Sequence, residues 1–170
     1  EFSIPGINAD DFPKMPDVLW EDNYEIDSDV LKSMVRQTIF AVSDNENKPI
    51  HTGILFDIKN NEIKLVAVDG YRLAIRSEKF EFKNNIDAMF VVPGKTLNEI
   101  DKIISPSDEK IEFSITKKHI LFKTKSTVLT SRLLEGEFLK YQNALPTEHT
   151  LEVNAVVKKF MESIDRVSLV

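Results

Sequence analysis

The sequence predicts an α+β fold: one βαβββ unit used twice, with two helices on one face of antiparallel sheets. Three observations predict it. Two stretches carry apolar residues at helical spacing. Around them lie short β-rich runs bounded by turn signals. The order of elements (strand, helix, three strands) then recurs.

The elements follow in order. Glu1 to Ile4 reads as a short strand, and Pro5, Gly6, Pro13 and Pro16 then mark a loop and linker. Tyr24 to Asp27 alternates and reads as a strand. Asp27 or Ser28 caps a helix of about 15 residues whose apolar stripe is Val30, Leu31, Met34, Val35, Thr38 and Ile39. Lys32 and Arg36, four apart, share a different face. Residues 43–49 are polar and turn-rich. A meander follows, with strands at 53–58, 62–68 and 71–77. Asn60-Asn61 forms the first turn. Asp69-Gly70 forms the second and reads as a type I′ hairpin turn.

The second unit opens with a strand at 88–92. Pro93 starts a helix reaching about Ile104, with Pro in its first turn. Leu97, Ile100, Ile103 and Ile104 face inward, while Lys95, Asn98 and Lys102 form the polar face. Strands follow at 110–115, 119–124 and 126–133, with turns at Thr116-Lys117-Lys118 and near Lys125.

A longer repeat overlies the short one. Tyr24-Glu25-Ile26-Asp27 and the helix start Val30 to Met34 resemble Leu151-Glu152-Val153-Asn154 and Val157 to Met161. Asp11-Phe12-Pro13-Lys14 likewise resembles Glu137-Phe138-Leu139-Lys140. A strand and a helix are therefore expected after residue 150, opening a further domain built like the middle one. With no Met at its start, the chain is expected to be a piece of a longer array of similar domains.

Composition bounds the class. The chain has 170 residues, 42% hydrophobic and 29% charged, as in ordinary globular proteins. No apolar run is long enough to span a membrane. No secretory signal opens the chain. Cysteine is absent, which removes disulfides and thiolate metal sites and fits a reducing cytosol. The net charge is −6, yet residues 1–29 hold nine acids and one base. The remainder holds 19 acids and 21 bases, so a locally basic face is open to it.

Chemistry-bearing residues are few. Tyr71, Arg72 and Leu73 place an aromatic, a guanidinium and an aliphatic group beside a turn, a mixture that suits a short peptide. As an alternative, Val68 and Leu73 are core while Tyr71 and Arg72 are plain hairpin surface. Pro93-Gly94-Lys95-Thr96 follows a strand and opens a helix, like the end of a phosphate-binding loop. The full pattern needs Gly where Met89 stands, so a nucleotide-dependent enzyme is the lesser alternative. A generic peptide-binding scaffold is weaker still. His51, His119 and His149 lack ligand spacing, and no metal site, cofactor or catalytic constellation is expected.

Val66-Ala67-Val68-Asp69-Gly70-Tyr71-Arg72-Leu73-Ala74, Gly53-Ile54-Leu55-Phe56 and Glu135-Gly136-Glu137-Phe138, with the duplicated unit, resemble the bacterial β sliding clamp family of DNA polymerase III. The resemblance covers the whole chain. It implies a DNA-clamp fold divided into the tail of a first domain and linker (1–22), a complete middle domain (23–140), a connector (141–150) and the start of a third domain (151–170). It also implies a non-catalytic cytoplasmic replication protein whose full-length form is a homodimeric ring around duplex DNA. Polymerase and clamp-loader subunits would dock on it through short hydrophobic peptides. By resemblance, the peptide pocket takes His51, Val68, Gly70, Tyr71, Arg72, Leu73, Leu139, Asn143 and Ala144. The DNA-facing helices offer Lys32, Arg36, Lys95, Asn98 and Lys102; otherwise these form a solvated face. The chain departs from the family pattern, which often has His at position 71, Pro at 139, and Arg then Val at 143 and 144.

Overall fold

Strand alternation builds the core. Ile54, Phe56 and Ile58 on β2 (Gly53–Lys59) and Ile63, Leu65 and Ala67 on β3 (Glu62–Val68) enter one cluster. They do so at every second residue, as a pleated strand requires. Phe90 and Val92 on β5 (Ala88–Pro93) join them, and Phe56 stacks on Phe90 with ring centroids 5.2 Å apart. Ile26 on β1 (Tyr24–Asp27), Ile111 and Phe113 on β6 (Lys110–Ile115), and Ile120 and Phe122 on β7 (His119–Lys123) supply a second wall. Leu31, Met34 and Val35 of α1 (Ser28–Arg36) and Leu97 and Ile100 of α2 (Gly94–Ile103) fill the same cluster. Each such side chain is worth about 1.5–3 kcal/mol in burial.

The computed structural model describes residues 2–12, 23–80, 86–105 and 108–169. The strands form two four-stranded antiparallel sheets, ordered β1-β6-β7-β8 and β4-β3-β2-β5, with β4 at Leu73–Lys79 and β8 at Val128–Arg132. The predicted α+β class and element order are present. The pairing adds a feature the linear pattern lacked. β1 pairs with β6, and β5 pairs with β2, so each unit lends its first strand to the other unit's sheet. The two copies are thereby interlocked.

Several expectations are corrected. Phe2 to Ile4 form no strand, while Glu1 and the linker prolines Pro13 and Pro16 lie outside the described residues. α1 ends after nine residues instead of about fifteen. The Thr38 hydroxyl donates to the carbonyls of Met34 (2.9 Å) and Val35 (3.1 Å), and a 3-10 turn at Ile39–Ala41 follows. Such back-bonding competes with the helical ladder. Pro93 is extended (φ −54°, ψ 136°) and caps α2 from outside its first turn. Asn60 and Asn61 have φ of 53° and 58°, matching the predicted two-residue turn. The Asp69-Gly70 turn is different: four residues separate the paired Val68 and Leu73, so Tyr71 and Arg72 precede β4.

The chain divides into two units, Glu1–Leu139 and Lys140–Val170. The second holds a 3-10 turn at Tyr141–Ala144 and α3 at Val157–Val167, where a helix was expected. The expected strand at 151–154 is absent. β1, its counterpart, exists by pairing with β6, and residues 151–154 have no such partner among the described residues. No described helix is long and apolar enough to cross a membrane.

Candidate functional site

The hairpin tip is organised by one carboxylate. Asp69 Oδ1 accepts from the backbone N–H groups of Tyr71 (3.0 Å) and Arg72 (2.9 Å). Its Oδ2 accepts from Arg72 Nε (2.7 Å) and pairs with Arg72 Nη2 (2.6 Å). The Asp69 N–H donates to the Arg72 carbonyl and closes the loop. Gly70 alone takes the left-handed conformation, with φ of 94°. The side chain of Asp69 thus replaces the type I′ geometry with a longer, side-chain-held turn. The two backbone donors, then the Arg72 guanidinium, hold the Asp69 carboxyl below its ordinary range. Tyr71 projects fully, 98% exposed.

Below the tip lies an apolar layer distinct from the core. Val68 pairs directly with Leu73, and Val66 with Ile75. Leu55 sits opposite both Val66 and Val91. Directly paired residues share a face, so Val68, Val66, Leu55 and Val91 line the sheet face turned away from the core cluster. All four are buried, and none belongs to that cluster. Val68 is therefore buried without being core, and Leu73 beside it is half-buried. Leu134 donates its N–H to Val91 O and closes over one end of this layer.

His51 lies in the 3-10 turn Pro49–Thr52 that leads into β2. Its ring meets the edge of Phe138 at 5.4 Å and 77°. Partial burial first, then the nearby Lys48 cation, lower its pKa below the ordinary 6.5. Phe138 was not among the expected site residues; its place just before Leu139 was the available signal. Leu139, at the end of the first unit, is exposed. Asn143 and Ala144 belong to the second unit, exposed in its 3-10 turn. The structure thus brings together Val68, Gly70, Tyr71, Arg72 and Leu73, and separately His51 with Phe138.

The helix faces are less cationic than their sequence. Lys32 Nζ donates to Ile104 O at 3.1 Å. Arg36 forms a two-point pair with Asp101, Nε to Oδ1 at 3.0 Å and Nη2 to Oδ2 at 3.3 Å. Lys102 pairs with Glu99 at 2.8 Å. Lys95 and Asn98 are exposed. Asp101 and Glu99 were missing from the sequence expectation, although Glu99 sits at i−3 from Lys102. The first two bonds tie α1 to α2 side by side, beside a polar cleft of about 390 Å³ that includes Asp29, Ser33 and Gln37.

The phosphate-loop alternative meets contrary geometry. Met89 is an exposed strand residue paired with Asp57. A Cβ on Gly94 would lie 3.1 Å from Thr52 O and 3.2 Å from a Val42 methyl, so its open side is packed rather than presented to a ligand. The Thr96 hydroxyl is bonded to Ser131 at 2.7 Å.

Comparison with known proteins follows the same lines. The family model for the central domain of the DNA polymerase III beta subunit matches residues 25–140. The beta sliding clamp of Bacillus subtilis is 36% identical over 169 residues, 99% of this chain and 45% of that protein. A crystal structure of a putative DNA polymerase III beta subunit from Eubacterium rectale superposes with a TM-score of 0.90 at 38% identity. It covers 99% of this chain and 46% of that one. The Bacillus subtilis sliding clamp structure also gives 0.90, at 34% identity, covering 96% of this chain and 43% of its own. This chain therefore spans somewhat less than half the length of these relatives.

Proposed function

The chain belongs to the DNA polymerase III beta subunit family, and from that premise we propose that it is part of a sliding clamp, a non-catalytic processivity factor of the replicative polymerase. The full-length protein would form a homodimeric ring around duplex DNA in the cytoplasm. In it, residues 1–22 are the tail of a first domain and linker, 23–140 the middle domain, 141–150 a connector and 151–170 the start of a third domain. Lys95 and Asn98, with the paired Lys32, Arg36 and Lys102, face the duplex. Val68, Gly70, Tyr71, Arg72 and Leu73, with His51, Leu139, Asn143 and Ala144, receive short hydrophobic peptides of the polymerase and clamp loader.

The observation that carries this reading is the side-by-side pairing of α1 and α2, in which Arg36 and Lys102 are paired with acids and Lys32 with a backbone carbonyl, while Lys95 stays exposed. A ring must hold DNA without gripping it. Phosphate contacts carry no sequence information, and too many of them would stop sliding. A face on which only part of the positive charge is left unpaired suits a protein held by topology. The test loads the full-length protein onto a nicked circular plasmid with a clamp loader. Retention on the circle and loss on linearisation is the expected result; equal retention on both overturns the ring. In the same protein, Arg72→Ala with Leu73→Ala should weaken peptide docking without unfolding. Unchanged peptide affinity in fluorescence anisotropy would reduce the site to an ordinary hairpin.

A further inference from the structure

The docking hairpin carries a guanidinium, and a bare guanidinium would favour acidic peptides. Arg72 is not bare. Its Nε and Nη2 both lie on Asp69 Oδ2, at 2.7 and 2.6 Å. The other carboxylate oxygen is held by the backbone N–H groups of Tyr71 and Arg72. Four donors on one carboxylate fill its acceptor sites, so the pair is built into the turn. The Asp69 side chain is only 15% exposed, against 56% for Arg72. What the tip offers a ligand is then the Tyr71 ring, the Arg72 stem and the half-buried Leu73 over the buried Val68, with no net charge.

We infer that Asp69 is a specificity-determining residue: by neutralising Arg72 within the turn, it makes the hairpin select apolar and aromatic peptide side chains and removes a preference for acidic ones. This rests on the docking reading above and adds a cause for its selectivity. A surface that binds several partners gains from such neutrality. Charge attraction acts at range and raises encounter with any acidic segment, while pockets discriminate by shape on contact.

The test uses the full-length protein and two amidated synthetic peptides, acetyl-Ser-Leu-Ala-Leu-Phe and its counterpart with Asp in place of Ser. The Asp69→Asn variant keeps the acceptor for the two backbone N–H groups, so the turn is preserved, but it releases the guanidinium. The wild type should bind both peptides about equally. Asp69→Asn should prefer the acidic peptide about threefold, the scale of an exposed ion pair. That preference should shrink in about 1 M salt, where the screening length falls to about 3 Å. It should vanish when Arg72→Gln is added, which ties the effect to Arg72 and separates it from any loosening of the turn. The same acidic-to-neutral ratio in wild type and Asp69→Asn would overturn the inference and leave the docking reading standing. Absence of binding by the wild type to either peptide would remove both.

Discussion

At the residue scale, small steric and electrostatic facts decide what each position tolerates. Gly53 opens β2 opposite Pro93. A Cβ there would lie 2.4 Å from Val92 O, 2.8 Å from a Leu134 methyl and 2.9 Å from a Val91 methyl. The first of these atoms is backbone and cannot yield without moving β5. Gly53→Ala should therefore cost about 1–3 kcal/mol, the scale of core overpacking, read as a lower urea midpoint with unchanged slope. His51 makes a prediction of the opposite kind, conditional on pH. Its folded pKa lies below the ordinary 6.5, so the unfolded chain takes up the proton first. Its contribution to stability is complete above pH 6.5 and is lost as pH falls through that value towards the folded pKa. His51→Gln should flatten that part of the stability–pH curve, and a curve superimposable on the wild type would refute the assignment. The hairpin shows what a single residue hides from sequence reading. Asp-Gly is a good I′ signal, yet the carboxylate of Asp69 chose a longer turn by bonding two backbone N–H groups. Side-chain-to-backbone bonds of that kind leave no periodic trace.

At the element scale, the strands and helices were legible because period and length agree. Tyr24–Asp27 and Lys110–Ile115 match their predicted bounds, and α2 and α3 fall where apolar residues recur at helical spacing. The exchange of first strands was not legible. Periodicity tells which face of β1 is buried, and says nothing about which strand it will pair with. The burial of Val68 outside the core was hidden for the same reason, since it follows from register against Leu73 and from the layer running to Val91. The end of α1 depends on one hydroxyl. Thr38 N–H donates to Val35 O, leaving Met34 O to the Thr38 hydroxyl at 2.9 Å. Thr38 is fully buried. Thr38→Val keeps the volume and orphans that carbonyl, so it should cost about 1–3 kcal/mol in denaturant unfolding. No loss would mean that water reaches Met34 O.

At the scale of the whole molecule, charge is spent internally. The formal charge is −6, and the two helix faces proposed to meet DNA bind most of their own cations. The proposed ring, which would surround DNA without adhering to it, is served by this arrangement, because every free cation can neutralise a phosphate and release its counterion. Relieving the pairing should convert topology into affinity. Asp101→Asn frees Arg36, and Glu99→Gln frees Lys102. Both pairs are exposed, so their loss should leave the fold intact; each is worth at most about 1 kcal/mol. Linear duplex, which an encircling ring cannot retain, is the discriminating ligand. The double variant of the full-length protein should bind it more tightly at low salt. The plot of log affinity against log salt should steepen by about 0.9 for each further phosphate neutralised, up to about two phosphates. Sliding on a circular template should slow in parallel, because each new cation–phosphate pair must break at every step. Unchanged linear-duplex affinity and salt slope would mean that α1 and α2 do not face the duplex.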